Sequence, residues 1–404
     1  MAHDHEDMLW RDAAVERVLA LRAEVLADHP TETVPVDRIG GRTLAADLAA
    51  STDRPPHSHA TMDGYAFDAS ESYPLAVRDA SVYPEDDPPA LEPGEAVPIA
   101  TGAPLPEEAN AVLKREEATV EDGQLRGAEI EPGTYAYERG SNVAAGERLF
   151  AAGERLSPKD ALLLADLGHE SVRVHERFSA GLLATGTEIH EGRHRDLDSP
   201  MLAGLIRSWG HEATVEGTVP DEYDRVRGRI ADLAGRHDVV VTTGGTSVGD
   251  KDYVIRALDD LGEVLFHRVR VRPGKPIAVA RLPDHDAVAV AVPGKPVGAH
   301  TITTLVARPL FVGETRMPAI EATLARDVGV GPSGFEYVVP VTLDGDEAMP
   351  LGHADSALSV YRDTFDPSVL SSATRASRAD GFFITESGER AGDRVRVVPF
   401  PVVE

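Results

Sequence analysis

The spacing of hydrophobic and polar residues changes several times along the chain and divides it into regions. Apolar residues recur at helical spacing over residues 10–26, which predicts an amphipathic helix. Residues 51–139 contain short apolar stretches interrupted by proline and glycine, a pattern typical of small strands. Over residues 178–306, β-branched runs alternate with helical patterns, which predicts a parallel sheet with right-handed crossovers. After residue 308, short apolar runs between Gly and Pro predict a small β-barrel or sandwich.

These regions predict a multidomain α/β protein. A chain of 404 residues is too long for one hydrophobic core, and about two to four domains are expected. We expect an α/β domain of three layers at 179–314 and a C-terminal β-barrel-like domain at 315–404. A β-rich insert at 51–139 is expected to interrupt a discontinuous helical or linker domain, which is formed by residues 8–50 and 140–178.

The segment 238–253, DVVVTTGGTSVGDKDY, carries the strongest chemical signal. Its valine run predicts a strand buried on both faces. Gly244 and Gly245 allow positive φ, and successive loop N–H groups can then form a nest for an anion. Acidic residues and a predicted helix follow. This order indicates a phosphate or nucleotide cradle beside metal-binding carboxylates, although the loop does not fit GxxxxGK[ST] or GxGxxG. A plain strand-to-helix turn is the alternative.

Open α/β sheets bind ligands outside the carboxyl ends of their strands. Four predicted strand ends carry polar or glycine-rich loops, at residues 185–188, 221, 243–252 and 293–296. Predicted strands at 264–271 and 277–280 flank a further loop, RPGKP. Carboxylates together with Arg268, Arg272 and Lys275 would suit a phosphorylated ligand held with a divalent metal. Alternatively, because RVRVR alternates, the arginines belong to a half-exposed strand.

The charge balance narrows the class of partner. Asp and Glu number 68 against 40 Lys and Arg, a formal net charge of −28, and only five of the 40 are lysine. Nucleic acid is excluded as a partner because binding phosphates needs a basic face. The lysine scarcity indicates a halophilic source, where salt screens the self-repulsion. The absence of an apolar run of about 18 residues and of a basic leader predicts a cytoplasmic protein without a membrane span. The lack of cysteine excludes disulfides and thiolate metal sites.

Several short motifs occur together in an order that resembles the molybdopterin molybdotransferases, the family of MoeA and the gephyrin E domain. The resemblance extends from about residue 10 to the C-terminus, and we expect a haloarchaeal member. Its motifs are MDGYA at 62–66, TGAPLP at 101–106, RGS with a following GE at 139–147, TGTE at 185–188, TTGGTSVGDKDY at 242–253, RPGKP at 272–276 and PGKPV at 293–297.

The resemblance implies the last step of molybdenum cofactor synthesis. Such enzymes take adenylylated molybdopterin and molybdate, cleave the adenylate and insert the metal into the dithiolene. It also implies Mg²⁺ or another divalent metal, an elongated homodimer whose cleft lies between the α/β domain of one subunit and other domains of its mate, and a molybdopterin adenylyltransferase as a further partner. By matching motifs, the catalytic residues are Asp63, Thr101, Glu188, Asp221 and Asp252, of which Glu188, Asp221 and Asp252 hold the metal. The cofactor-binding residues are Thr185, Gly186, Gly244, Gly245, Ser247, Arg268, Arg272, Lys275, Pro276, Pro293 and Pro296.

The chain departs from the family pattern near the implied oxyanion site. Asn142 replaces an Asp, two lysines are Arg268 and Arg272, and Lys295 and Gly298 replace Asn and Ser. Tyr337 stands at the place of an arginine, and Ser371 or Ser372 stands in for a Gly-Ser pair. Three alternatives therefore remain: a non-catalytic or diverged molybdopterin-binding paralogue, a tungstate-inserting variant, and a relative of the one-domain adenylyltransferases. The β-rich insert and the C-terminal domain argue against the last.

Overall fold

The computed structural model describes residues 8–246 and 252–404, and these form two compact units. Unit 1 comprises the described residues up to Ala45 together with Gly153–Pro158 and Arg173–Glu404. Unit 2 comprises Ala46–Ala152 and Lys159–Val172. The β-rich insert predicted at 51–139 lies within unit 2.

The helices of the described residues include the N-terminal one predicted from its periodicity, which is confirmed. That helix buries Val18 and Leu21 and exposes most of its charged side chains, with Arg22 as a buried exception. The helices are α1 (Arg11–Asp28), α2 (Asp160–Asp166), α3 (Thr187–His190), α4 (Asp198–Ser208), α5 (Tyr223–Ala234), α6 (Tyr253–Leu261), α7 (Pro296–Ile302), α8 (Arg308–Val312) and α9 (Pro367–Leu370).

The strands of the described residues are short outside the α/β region. They are β1 (Thr31–Pro35), β2 (Leu48–Ala49), β3 (His59–Ala60), β4 (Gly64–Phe67), β5 (Leu75–Val77), β6 (Glu95–Ile99), β7 (Ala111–Lys114), β8 (Thr119–Glu121), β9 (Gln124–Arg126), β10 (Ala136–Tyr137), β11 (Arg148–Phe150), β12 (Ser171–His175), β13 (Ser179–Thr185), β14 (Glu212–Val219), β15 (Val239–Thr243), β16 (Glu263–His267), β17 (Val271–Arg272), β18 (Ala278–Leu282), β19 (Ala287–Val292), β20 (Ile320–Leu324), β21 (Glu336–Asp344), β22 (Glu347–Pro350), β23 (Gly352–His353), β24 (Ser359–Tyr361), β25 (Gly381–Thr385) and β26 (Arg394–Pro399).

The central sheet of unit 1 has the order β14-β13-β15-β19-β18-β16. Strands β14, β13, β15 and β19 are parallel, whereas β18 runs antiparallel to both of its neighbours, so the sheet is mixed rather than wholly parallel. Every residue of β15 and β19 is buried, because α1, α4, α7 and α8 cover one face and α5 and α6 the other. In the sheet, β14 lies on one side of β13 and the next strand in sequence, β15, lies on the other side. This reversal of strand order places a topological switch point between β13 and β15.

The predicted strand over residues 264–271 is wrong, because the chain leaves the central sheet at Arg268. Pairing of β16 with β18 ends at His267, and Arg268 has a φ of 78°. This left-handed residue redirects the chain, and Val271–Arg272 then pairs in parallel with Glu336–Tyr337 of another sheet. The arginines of RVRVR therefore do not lie on one half-exposed strand. Arg268 and Arg270 lie on the connection between the two sheets, and Arg272 lies on β17.

That second sheet forms the predicted C-terminal barrel. Its order is β21-β22-β20-β26-β25, and β25 pairs with β21 to close five strands, while β17 adds to the edge. Unit 2 contains a further sheet of order β7-β4-β6-β5-β9-β8. The α/β fold with a β-rich insert and a C-terminal barrel is confirmed. None of the helices in residues 8–246 and 252–404 has the length and hydrophobicity needed to cross a lipid bilayer.

Candidate active site

The turn after β15 is fixed by backbone contacts to neighbouring strands. The Gly244 N–H donates a hydrogen bond of 3.0 Å to the Val292 carbonyl at the end of β19. Gly244 and Gly245 have φ angles of 83° and 64°, which glycine adopts at little steric cost. A Cβ on Gly244 would lie 2.7 Å from the Thr185 carbonyl oxygen. The two glycines therefore allow the carboxyl ends of β13, β15 and β19 to approach one another.

The end of β13 completes this edge. The buried Thr185 hydroxyl donates to the Thr243 carbonyl at 3.0 Å. The Gly186 N–H donates to the Val219 carbonyl, the last residue of β14, at 3.1 Å. The carboxyl ends of four parallel strands are thus joined into one rim, and the switch point where ligands of such sheets bind lies on it.

Two of the predicted acids lie on this rim. The Thr187 N–H donates to Asp221 Oδ2, and the Asp221 N–H donates to Thr187 Oγ1, each at 3.1 Å. This reciprocal pair fixes the residue after β14 against the start of α3. Glu188 lies in the first turn of α3. Its Oε1 would be 3.0 Å from a Cβ atom built on Gly186, so its carboxylate is next to that glycine. The structure therefore places Glu188 and Asp221 beside the ends of β13 and β14.

Asp252, immediately before α6, is the third predicted acid of unit 1. Its Oδ1 is buried and has no hydrogen-bond partner within residues 8–246 and 252–404. Burial raises the pKa of Asp252 to about 6, against the opposing effect of the Arg268 charge. A carboxylate left without donors in a desolvated position is stabilised by a cation. Asp252 is therefore the acid of this set whose environment most favours a positively charged ligand.

The predicted cations cluster on the loop between β16 and β18. The pKa of Lys275 is lowered by burial and then by the nearby charges of Arg272 and Arg268. Arg272 stacks over Phe335, with its guanidinium carbon 4.0 Å from the ring centre. Arg268 has a buried Nε without a partner, and its charge acts on Asp252. Arg268 thus acts on both Asp252 and Lys275, and Arg272 acts on Lys275. A carboxylate followed by three cations in this way is suited to phosphate oxygens and a metal.

The predicted prolines shape two loops that approach one another. Pro276 precedes β18, and Pro293 follows β19. Pro296 is the first residue of α7, where its missing N–H is not needed. A Cβ on Gly298 would lie 3.6 Å from Pro293 Cγ and 3.7 Å from the Gly274 nitrogen. The two PGKP loops therefore lie together at the start of α7.

Asp63 and Thr101 are brought together within unit 2. The Thr101 N–H and hydroxyl both donate to Asp63 Oδ1 at 2.7 Å. These two bonds, with a smaller contribution from Arg115, lower the pKa of Asp63 below its usual range. Asp63 is exposed, so its charge is available to a ligand at the surface of unit 2.

Comparisons with known proteins show the family to which the chain belongs. Residues 11–168 match the model of the MoeA N-terminal region (domain I and II), and residues 181–312 match a probable molybdopterin binding domain. A molybdopterin molybdenumtransferase of Synechococcus elongatus is 32% identical over 335 residues, which are 77% of this chain and 82% of that protein. The chain belongs to the MoeA family.

Further members of the MoeA family match along almost the whole chain. A molybdopterin molybdenumtransferase of Bacillus subtilis is 28% identical over 96% of this chain and 92% of its own length. The crystal structure of a MoeA protein of Pyrococcus horikoshii has a TM-score of 0.67 at 28% identity, and the match covers 97% of this chain and 99% of that one. Another structure from that organism has a TM-score of 0.73 at 22% identity and shows the shared fold.

The departures from the MoeA pattern have distinct structural settings. Tyr337 is buried in the barrel, and its hydroxyl donates to the Pro332 carbonyl at 2.8 Å, so it provides no cation. Ser371 Oγ lies 3.7 Å from where a Cβ on Gly298 would be, beside the two PGKP loops. Asn142 is exposed on unit 2.

A divalent metal fits one part of this MoeA-family site better than the rest. Within residues 8–246 and 252–404, no three or more His, Asp or Glu side chains are grouped so that they could hold a metal ion. The buried, partnerless oxygen of Asp252 nevertheless suits a cation. Mg²⁺ is usually bound by one or two carboxylates with water and substrate phosphates.

Ser247, another predicted site residue, lies outside the described residues.

Asp198 and Ser199 are site candidates that the sequence interpretation missed. Both are buried at the start of α4, which follows β13, and Asp198 Oδ1 and Ser199 Oγ have no partner. Burial and the nearby Asp196 raise the pKa of Asp198 to about 6. The available signal was an acidic cluster before a helix, DLDSP, which is also typical of an ordinary N-cap. Asp196 does accept the N–H groups of both residues.

We predict that Gly244→Ala destabilises the protein by roughly 3 kcal/mol, because Ala must adopt a positive φ and its Cβ meets the Thr185 carbonyl. Chemical denaturation measures the change. The matched control is Gly392→Ala, where φ is 92° but no atom lies within 4 Å, so only the backbone cost of about 1 kcal/mol is expected. Equal losses for the two variants would contradict the steric part of the argument.

Proposed function

We propose that this chain is a molybdopterin molybdenumtransferase. It cleaves adenylylated molybdopterin, releases AMP and inserts molybdate into the dithiolene. The observation that carries the proposal is the buried Asp252 oxygen, which has no partner among the described residues and is acted on by the Arg268 charge. Arg268 and Arg272 in turn act on Lys275. Family membership supports the same transferase activity.

The residues of unit 1 have separable roles in this reaction. Water attacks one phosphorus of the phosphoanhydride, the bridging oxygen leaves with the other phosphate, and AMP and molybdopterin phosphate result. Arg268, Arg272 and Lys275 hold the phosphate oxygens and stabilise the charge that develops on them. The backbone N–H groups of the glycine turn add neutral donors. Thr185 and Gly186 keep that turn in place through their bonds to β15 and β14, while Pro276, Pro293 and Pro296 fix the PGKP loops.

A divalent metal, Mg²⁺ in our proposal, would be held by Asp252 with water and substrate phosphates. When bound, it supplies charge to polarise the phosphoanhydride. The described residues contain no group of three acids that could hold it, so Asp221 and Glu188, which were predicted as ligands, do not form a preformed metal site with Asp252. Molybdate is an oxyanion and is held by the same kind of cationic donor as phosphate. Asp63 and Thr101 of unit 2 are proposed to serve the same reaction, because they occupy family motifs and present an exposed, hydrogen-bonded carboxylate.

The remaining proposals concern the protein's setting. We propose a cytoplasmic, halophilic homodimer, since the charge of −28 requires screening and the family resemblance implies an isologous pair. We also propose a molybdopterin adenylyltransferase as a partner, because it would supply the adenylylated substrate. Light scattering in high salt tests the dimer, and a monomer at micromolar concentration would contradict it.

An AMP-release assay tests the proposed function. Purified protein is incubated with adenylylated molybdopterin and Mg²⁺, with and without molybdate, and both AMP and dithiolene-bound molybdenum are measured. We expect AMP release that requires the divalent ion and molybdenum in the product. Absence of AMP release under these conditions would indicate the non-catalytic paralogue, for which the engaged Tyr337 at an arginine position is the supporting observation. A parallel reaction with tungstate distinguishes the tungstate-inserting variant.

We predict that Lys275→Ala raises the KM for adenylylated molybdopterin by about tenfold to a hundredfold, because one phosphate-binding cation is lost. The partial burial of Lys275 excludes competing water and strengthens its interaction with an anion. Steady-state AMP release measures both constants. The control is Lys159→Ala, which removes an exposed lysine of unit 2 and is expected to leave both constants unchanged. An unaltered KM in Lys275→Ala would remove this lysine from the phosphate site.

A further inference from the structure

Three arginines on the side of unit 1 formed by α1 and α8 have no acidic partner. Arg22 on α1 and Arg308 on α8 are buried, with 6% and 7% of their surfaces exposed, and Arg155 on the segment Gly153–Pro158 is half-buried. None of them forms an ion pair with an Asp or Glu of residues 8–246 and 252–404. This is unusual in a chain where acids outnumber bases 68 to 40.

The hydrogen bonds of these guanidinium groups leave many donors unused. Arg22 donates to the Gly153 carbonyl at 3.4 Å and to Thr43 Oγ1 at 3.0 Å. Arg155 donates to the Trp209 carbonyl at 3.0 Å, and Arg308 to the Glu314 carbonyl at 3.4 Å. Two of these bonds are long, all the acceptors are neutral, and the Nε of each arginine is buried without a partner. A guanidinium group carries more donors than these contacts satisfy.

The three charges also act on one another. Burial and the Arg155 charge lower the pKa of Arg22 to about 10. Burial lowers the pKa of Arg308, and the Arg155 charge lowers it further, although the exposed Glu314 opposes this. Arg155 and Arg22 also help to keep the buried His211 neutral, since burial and these charges lower its pKa to about 4. Arg155 is therefore the common member of a cationic cluster that costs free energy unless an anion accompanies it.

No carboxylate of residues 8–246 and 252–404 forms an ion pair at this position, which favours a counterion from solution. Because the cost of desolvating an ion grows with the square of its charge, a buried position favours a monovalent anion over sulfate or phosphate. A pocket of about 400 Å³ beside α1 reaches Arg308, the member of the cluster on α8. We propose that Arg22, Arg155 and Arg308 form a binding site for a halide ion, with chloride as the natural ligand.

A bound chloride would join three elements that meet only through neutral contacts otherwise: α1, the segment Gly153–Pro158 and α8. The site is independent of the proposed function, since none of its residues belongs to the candidate active site. Its expected consequence is a chloride-specific gain in stability, because a ligand that binds only the folded state raises the melting temperature.

Diffraction and melting experiments on the full chain test the site. Crystals of the wild-type protein grown or soaked in sodium bromide are expected to show an anomalous bromide peak between Arg22, Arg155 and Arg308. In solution, replacing potassium gluconate with potassium chloride at constant ionic strength is expected to raise the melting temperature by roughly 3 °C. General salt effects predict the opposite order, since the more strongly excluded gluconate should stabilise at least as well.

The variant Arg155→Gln keeps most of the side-chain volume and is expected to lose the chloride increment. Arg396→Gln, which removes an exposed arginine of β26, is expected to keep it. A bromide peak at the cluster establishes the site even where Arg155→Gln fails to fold. Bromide crystals without a peak at the cluster, or a peak there that sulfate displaces, would overturn the proposal of a halide site.

Discussion

Asp252→Asn is expected to lower the rate of metal-dependent AMP release by roughly a hundredfold or more. The carboxylate precedes α6 at the rim of the sheet, and its buried Oδ1 has no hydrogen-bond partner among the described residues. The amide that replaces it has a similar shape but no charge, so it would bind a divalent cation poorly. AMP release at saturating substrate over a Mg²⁺ titration measures the loss. Full activity in Asp252→Asn would exclude this residue as a metal ligand.

The control variant is Asp259→Asn, which removes an exposed carboxylate from α6, the helix that begins directly after Asp252. It changes the net charge by the same amount and is expected to retain wild-type activity. Comparing the two variants separates the chemistry of Asp252 from a general effect of charge. A metal readout is also available without substrate: Mg²⁺ is expected to raise the melting temperature of wild type but not that of Asp252→Asn.

The difference in stability between wild type and Asp252→Asn should depend on pH in a defined direction, because only wild type carries the titrating carboxyl. The folded-state pKa of Asp252 is raised from 3.8 to about 6, so the folded protein binds this proton more tightly than the unfolded chain does. Its contribution is therefore most favourable below pH 4 and is lost as the pH rises through 6. Without divalent metal, the variant is expected to match wild type near pH 4 and to melt at a higher temperature at pH 7.5. A constant difference between the two proteins would contradict the burial of this charge.

The parts of the site that could be predicted from the sequence are those whose conformation is determined by residues adjacent in the chain. A valine run followed by two glycines has few conformations open to it, and the observed turn with φ angles of 83° and 64° follows from that composition. The course of RVRVR could not be predicted in this way. Its alternation is typical of one strand, yet Arg268 takes a left-handed conformation because Val271 and Arg272 pair with a strand more than sixty residues later.

The burial of polar side chains is the other feature of the site that could not be predicted from the sequence. Asp198 and Ser199 belong to a sequence typical of a helix start, and nothing in it indicates that both side chains are desolvated. Their burial depends on how α4 packs against β13 and β14, which is a tertiary property. The pairing of Asp63 with Thr101 likewise joins positions 38 residues apart, and only the family motifs pointed to both. Local composition therefore identified the rim of the sheet, while tertiary packing decides which polar side chains are buried.

The protein is expected to unfold at low ionic strength and to become stable only in molar salt. With a net charge of −28, the folded chain holds its excess carboxylates closer together than the unfolded chain does. At about 0.1 M salt the screening length is roughly 10 Å and neighbouring surface acids still repel, whereas at about 1 M it is roughly 3 Å. Salt also weakens surface ion pairs, such as those of Glu216 with Arg229 and Arg236. Each such pair contributes only about 0–1 kcal/mol, so the relief of repulsion should dominate.

Thermal unfolding in potassium gluconate from 0.1 to 3 M tests this expectation, because a chloride-free series leaves the proposed halide site out of the comparison. We expect the melting temperature to rise steeply over the first molar and then more slowly, as screening of the surface acids is completed. Sucrose at matched osmolality is the control for exclusion of the co-solute from the protein surface, and it is expected to give a much smaller rise. A melting temperature that stays flat from low to high gluconate would show that the excess acids are far enough apart not to interact. The lysine scarcity would then have to arise from something other than adaptation to salt.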